Sequence, residues 1–129
     1  MFDSLYPTMQ WANHRNAWPH AQSSQFVQAG GIQWHVQIMG QGPTLLLLHG
    51  TGSGSFSWRG LMPLLSPYFQ VIAPDLPGHA FTSRGPDGSL SLQGMSEGLR
   101  ALLLQLNVTP SVIGGHSAGA AIAAHMILQ

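Results

Sequence analysis

Residues 110–121 read PSVIGGHSAGAA, and the fold is decided by what that stretch does at its middle. A short apolar run over 110–114 meets Gly115-His116-Ser117-Ala118-Gly119. Small and apolar residues then continue over 118–128, a composition that predicts a helix. A G-x-S-x-G between a strand and a helix is the pattern of a nucleophile elbow, a sharp turn that holds a serine in a strained backbone conformation with its hydroxyl projecting into a cleft. Side chains two positions before and after the serine would collide, so glycine is needed at Gly115 and Gly119. The helix start beside Ser117 favours negative charge there. The competing reading is a glycine-rich turn in which Ser117 merely caps the helix.

Working outward, the chain alternates strand and helix signals. Residues 44–48, ending in four leucines, form a short apolar run that stops at His49-Gly50, as a central parallel strand buried on both sides would. Residues 69–73 form another, ending at Pro74-Asp75. Between them, Phe56, Leu61, Leu64 and Leu65 stand near helical spacing. Leu92, Met95, Leu99, Leu102, Leu103 and Leu106 mark the clearest helix, over 91–106. Upstream, 25–29 and 32–39 alternate around Gly30-Gly31, with Ile32, Trp34, Val36 and Ile38 on one face and Gln33, His35 and Gln37 on the other. That period of two predicts a hairpin with one buried face. Residues 1–22, including Tyr6, Trp11 and Trp18, show no period and read as a loose N-terminal arm, leaving 23–129 as the domain.

This succession predicts an α/β fold, a mostly parallel sheet with helices on both faces. In such sheets ligands sit beyond the carboxyl ends of the strands. His49-Gly50-Thr51-Gly52, residues 75–79 and His116-Ser117 all fall there. The loop at 49–52 would lie beside the elbow, where a backbone N–H of Thr51, with Gly52 in reserve, joins that of Ala118 in an oxyanion hole.

Composition narrows the function. Of 129 residues, four are Lys or Arg and four are Asp or Glu, giving a formal charge of +0; all four cations are arginines. Such a chain has no basic footprint for a phosphate backbone, and without lysine it has neither a Walker-type loop nor a Schiff base. No nucleic-acid partner is expected. The absence of cysteine removes disulfides, thiolate metal sites and cysteine nucleophiles, and fits a reducing, cytoplasmic setting. No stretch reaches the ~18 uninterrupted apolar residues of a membrane span. Residues 50–54 read GTGSG, but a dinucleotide-binding G-x-G-x-x-G needs glycine where Ser55 stands. Seven histidines raise a metal reading, yet no H-E-x-x-H occurs and only Asp75 lies near His49, His79 and His116 in the order of elements. We expect no metal and no cofactor. Asp75 reads as a loop or cap residue.

The pieces LLLLHGTG at 45–52, Trp58, PDLPGH at 74–79 and GHSAG at 115–119 occur in the order seen in the α/β-hydrolase superfamily, which the chain resembles. More narrowly, WPH at 18–20, FVQAGGIQWHVQIMG at 26–40 and DLPGHAFTS at 75–83 resemble the magnesium-chelatase accessory hydrolases of bacteriochlorophyll biosynthesis. One departure is Ala80, where the superfamily's loop usually reads Gly-His-Gly. The resemblance implies the α/β-hydrolase fold with strand order 1-2-4-3-5, of whose eight strands about five lie within these residues. It implies a nucleophile at Ser117, oxyanion donors at Thr51 and Ala118, and a triad acid and histidine beyond residue 129.

Two functions follow. One is a serine hydrolase acting through an acyl-enzyme on an ester, thioester, amide or activated C–C bond; a serine at 117 argues against the dehalogenase and epoxide-hydrolase branches, which use aspartate there. The other is a non-catalytic accessory protein that binds a tetrapyrrole intermediate or the magnesium chelatase itself. For His49 the sequence favours packing under the oxyanion loop, and for His79 a hydrogen bond within its own loop. His116, adjacent to Ser117, diverges from it in a tight turn, so none is favoured as the general base.

Overall fold

A computed structural model of the chain describes residues 9–129. Tyr6 and the first part of the expected arm lie outside them.

Among the described residues five strands form one sheet: β1 (Ser24–Ala29), β2 (Ile32–Met39), β3 (Thr44–Leu48), β4 (Gln70–Pro74) and β5 (Val112–Gly115). Their order is β1-β2-β4-β3-β5, as the resemblance implies. The hairpin turns on Gly30 and Gly31, both at positive φ, and pairs β1 with β2 antiparallel; β2 is also antiparallel to β4. The inner strands β4, β3 and β5 run parallel. Every residue of β3 is buried, as its unbroken apolar run requires of a strand covered on both faces.

Among the described residues four helices accompany the sheet: α1 (Trp11–His14), α2 (Met62–Leu65), α3 (Leu92–Leu106) and α4 (Ala118–Ile127). Alternation along the strands divides the interior into two cores. Trp34, Leu46, Leu48 and Ile72 face Leu99, Leu102, Ile122 and Met126 of α3 and α4. On the opposite face Leu45, Leu47, Val71 and Ala73 pack with Met62 of α2 and with Trp58. Ser91 caps α3 by accepting from the Gly94 N–H, and Asn107 closes it in a left-handed conformation. The Arg100 guanidinium donates to the Met126 carbonyl at 2.6 Å, joining α3 to the end of α4, where carbonyls lack helical partners.

Three expectations change. The 56–65 segment is a 3-10 turn, Ser55–Trp58, followed by the short α2 with Pro63 in its first turn. A proline has no N–H to continue a preceding helical ladder, so the helix starts there instead. The second face of β2 is covered too: His35 and Gln37 are both fully buried. What covers it is the segment expected to be loose. Trp11 stacks edge-on against Phe81 at 5.0 Å and Phe26 at 5.7 Å, and its ring centre stands 5.0 Å from that of His35. Trp18 packs against Phe81 at 4.6 Å and Phe56 at 5.5 Å. The described part of the arm is therefore held down by aromatic contacts that no sequence period announces.

Candidate active site

Leu48 and Gly115 are register partners at the carboxyl ends of β3 and β5, so the loops leaving these strands start side by side. Between β5 and α4, Ser117 adopts φ 57 and ψ -119, a region a side chain enters only under strain. Its neighbours explain how the turn is accommodated. A Cβ on Gly115 would stand 2.5 Å from the Gly119 carbonyl and the Ala120 nitrogen, and one on Gly119 would strike the Leu48 carbonyl. Both glycines are thus required sterically, Gly115 by the turn closing on itself and Gly119 by its approach to β3. Ser117 is exposed, and its side chain makes no capping hydrogen bond to α4. The hydroxyl is not used as an N-cap.

The 49–53 loop lies against this turn. A Cβ on Gly50 would come to 3.4 Å from Ser117 Cβ and 3.3 Å from His116 Nδ1. Residues 50–53 form a tight turn, with the Ser53 N–H donating to the Gly50 carbonyl at 3.2 Å and Gly52 at φ +79, a position that favours glycine. His49 sits buried beneath it. Its Nδ1 donates to the Gly50 carbonyl at 2.7 Å, and its Nε2 accepts from the Leu76 N–H at 2.9 Å. Accepting at Nε2 requires the neutral imidazole. Burial pushes its pKa below the ordinary histidine value, with the nearby His79 adding to the effect against the raising influences of the Gly50 carbonyl and Asp75.

Because a trans peptide holds its C=O and N–H on opposite sides, anchoring the Gly50 carbonyl inward turns the Thr51 N–H outward. Among the described residues neither the Thr51 nor the Ala118 N–H donates to a protein acceptor. Gly52, the next residue of the same turn, is exposed.

His79 directs Nδ1 to the Pro77 carbonyl at 3.0 Å, within its own loop. His116 stays exposed beside Ser117. His49 has both nitrogens engaged, so among the described residues it is unable to serve as the base for Ser117.

Asp75, at the end of β4, proves to be a junction. Its Oδ1 accepts from the Ser55 N–H at 2.7 Å, and its Oδ2 accepts from the Phe81 N–H at 3.1 Å and from His35 Nδ1 at 2.7 Å. Burial alone would raise its pKa. The His35 hydrogen bond and charge, with the two backbone N–H groups, outweigh that and hold the carboxyl below the usual range. His35 in turn places Nε2 2.8 Å from Ser24 Oγ. Sequence reasoning missed this pairing, since a histidine alternating with glutamines on a strand reads as solvent-facing.

The sequence profile described as "alpha/beta hydrolase fold" matches residues 43–129. The chain belongs to the α/β-hydrolase family. Among the relatives of this chain, the magnesium-chelatase 30 kDa subunit of Rhodobacter capsulatus is 42% identical over 114 residues, covering 87% of this chain and 40% of that protein. The 2-hydroxy-6-oxo-2,4-heptadienoate hydrolase of Pseudomonas putida is 33% identical over 106 residues, 80% of this chain and 38% of that one. An epoxide hydrolase crystal structure from Vigna radiata superposes with a TM-score of 0.75 at 30% identity, over 81% of this chain and 35% of its own. The chain thus spans about two fifths of the length of these two relatives. Among the described residues, no helix is long and apolar enough to cross a membrane.

Proposed function

We propose that the protein is a serine hydrolase working through an acyl-enzyme on an ester, thioester, amide or activated C–C bond. The observation that carries this reading is the backbone of Ser117, strained at positive φ between two sterically required glycines with its hydroxyl free of a capping role. Strain of this kind at an exposed nucleophile-type side chain is characteristic of a functional site. Ser117 Oγ attacks the substrate carbonyl carbon, and its proton passes to a histidine contributed from outside residues 1–129. The Thr51 and Ala118 N–H groups hold the oxygen as it gains charge. Collapse expels the leaving group with that proton, and water releases the acyl group by the same steps in reverse. The anchored Gly50 carbonyl supports Thr51 over Gly52 as the second donor.

Likeness to an epoxide hydrolase supports the shared fold and does not carry the reaction. A fluorophosphonate probe tests the proposal. The natural full-length protein should be labelled on the peptide containing Ser117, and Ser117→Ala should abolish the label; an unlabelled folded protein overturns it. The identity to a magnesium-chelatase subunit favours a second reading, an accessory protein that binds the chelatase or a tetrapyrrole intermediate without turnover, and the unlabelled outcome would select it.

A further inference from the structure

A cavity of about 510 Å³ opens beside the oxyanion loop, with Gly52 and Ser53 in its wall. Its remaining surface is mostly apolar and comes from Trp18, Pro19, Phe56 and Ala80, while Arg59 is the charged residue among its described lining. The aromatic wall is held in place. Trp18 packs edge-on against Phe56 at 5.5 Å, and the Phe56 ring lies over Gly54, where a Cβ would meet it at 3.0 Å. Arg59 is exposed, and one of its terminal nitrogens donates to the Phe56 carbonyl at 3.0 Å. Among the described residues no carboxylate lies within ion-pair distance of it. Its fork retains further N–H donors.

An apolar cavity of this size with one charged residue in its wall has the usual form of a small-molecule site. Flat rings suit the Trp18 and Phe56 surfaces, and a single guanidinium matches one carboxylate in charge and geometry. We propose that the cavity takes the apolar, ring-bearing body of the substrate and that Arg59 binds a carboxylate carried on that body. The substrate class is then an acyl compound with a ring system and a free carboxylate, presented beside the oxyanion loop. This rests on Ser117 being the nucleophile and adds the specificity of the same site.

The test is calorimetric titration of the natural full-length protein carrying Ser117→Ala, with 4-phenylbutyrate and its neutral amide, 4-phenylbutyramide. The acid should bind about tenfold more tightly than the amide, equivalent to about 1.4 kcal/mol. Arg59→Gln should bring the acid down to the affinity of the amide, Arg59→Lys should restore part of the difference, and Phe56→Ala should weaken both ligands. Equal affinity for acid and amide overturns the proposal, as does an acid preference that survives Arg59→Gln. Melting curves establish that each variant is folded, and the exposed position of Arg59 keeps its variants informative even if Phe56→Ala unfolds. Because the titration reads no turnover, failure of Ser117 to label would remove the acyl-enzyme reading while leaving this result standing; a labelled Ser117 with no acid preference would remove the cavity proposal alone.

Discussion

His35 Nδ1 and Asp75 Oδ2 stand 2.7 Å apart, and both side chains are completely removed from solvent. The pair ties the middle of β2 to the end of β4. Through the Ser55 and Phe81 N–H groups, Asp75 also fixes the loops after β3 and β4. Breaking a buried pair by removing one partner leaves polar groups unmatched in a low-dielectric interior. Asp75→Asn should therefore cost roughly 3 kcal/mol of stability, read as a drop in the denaturant midpoint; a midpoint unchanged from wild type would show that the junction contributes little.

Acid should weaken the fold over two pH ranges. The His49 pKa is lowered in the fold, so as pH falls below the ordinary histidine value of about 6.5 the unfolded chain takes up a proton the native state resists, and stability declines until the native pKa is passed. Asp75 also has a lowered native pKa. Its contribution is present above the unfolded carboxyl value and is lost as pH falls through the native one. Denaturation curves between pH 7 and 3 should show both losses. His49→Gln should lower stability overall and flatten the slope between pH 7 and 5, and a slope as steep as that of wild type would count against His49 as its source.

On the proposed acyl-enzyme mechanism, Ser117→Ala in the natural full-length protein should reduce kcat by at least about a thousandfold, because only binding and the two backbone donors would remain. The melting temperature should hold, since the exposed hydroxyl fills no core volume and relieves no buried group. Ester turnover within about tenfold of wild type would remove Ser117 as nucleophile.

Gly119→Val should damage stability and activity together. Even a Cβ at this position strikes the Leu48 carbonyl, so α4 must move away from β3, at a cost of about 1–3 kcal/mol for overpacking, and Ser117 moves with it. Melting and fluorophosphonate labelling on the same variant check this. A stable variant with full labelling would mean the close approach is not needed.

Ala80 occupies φ 45 in the turn closed by the Thr82 N–H on the His79 carbonyl. Left-handed backbone costs a side-chain-bearing residue about 1–2 kcal/mol, partly offset in a glycine variant by greater unfolded-state entropy. Ala80→Gly should raise stability by up to about 1 kcal/mol, and Ala80→Val should lower it, because a branched side chain tolerates this region least. Chemical denaturation of the two variants distinguishes this from a relaxed turn, in which glycine would be destabilising.

The sequence by itself determined the strands, the order of elements and the elbow, because these depend on information carried within a few residues. The Leu45–Leu48 run can only be buried on both sides, the leucines of α3 repeat at helical spacing, and Gly115 and Gly119 flank a serine at the junction of β5 and α4. It also placed His49 under the loop that follows β3 and His79 in its own loop. Tertiary structure alone decided what covers the outer face of β2. His35 and Gln37 alternate with apolar residues as a solvent-facing set would, and no local pattern reveals that Trp11, Phe26 and Phe81, separated widely along the chain, converge on His35, or that the Pro19 and His20 carbonyls accept from the Gln37 amide. The same holds for Asp75, whose three partners come from three different segments, and for the cavity shared by Trp18, Phe56 and Arg59. Local propensity and periodicity follow from neighbours in the chain, whereas burial of a polar residue and the walls of a pocket arise only when distant segments pack together.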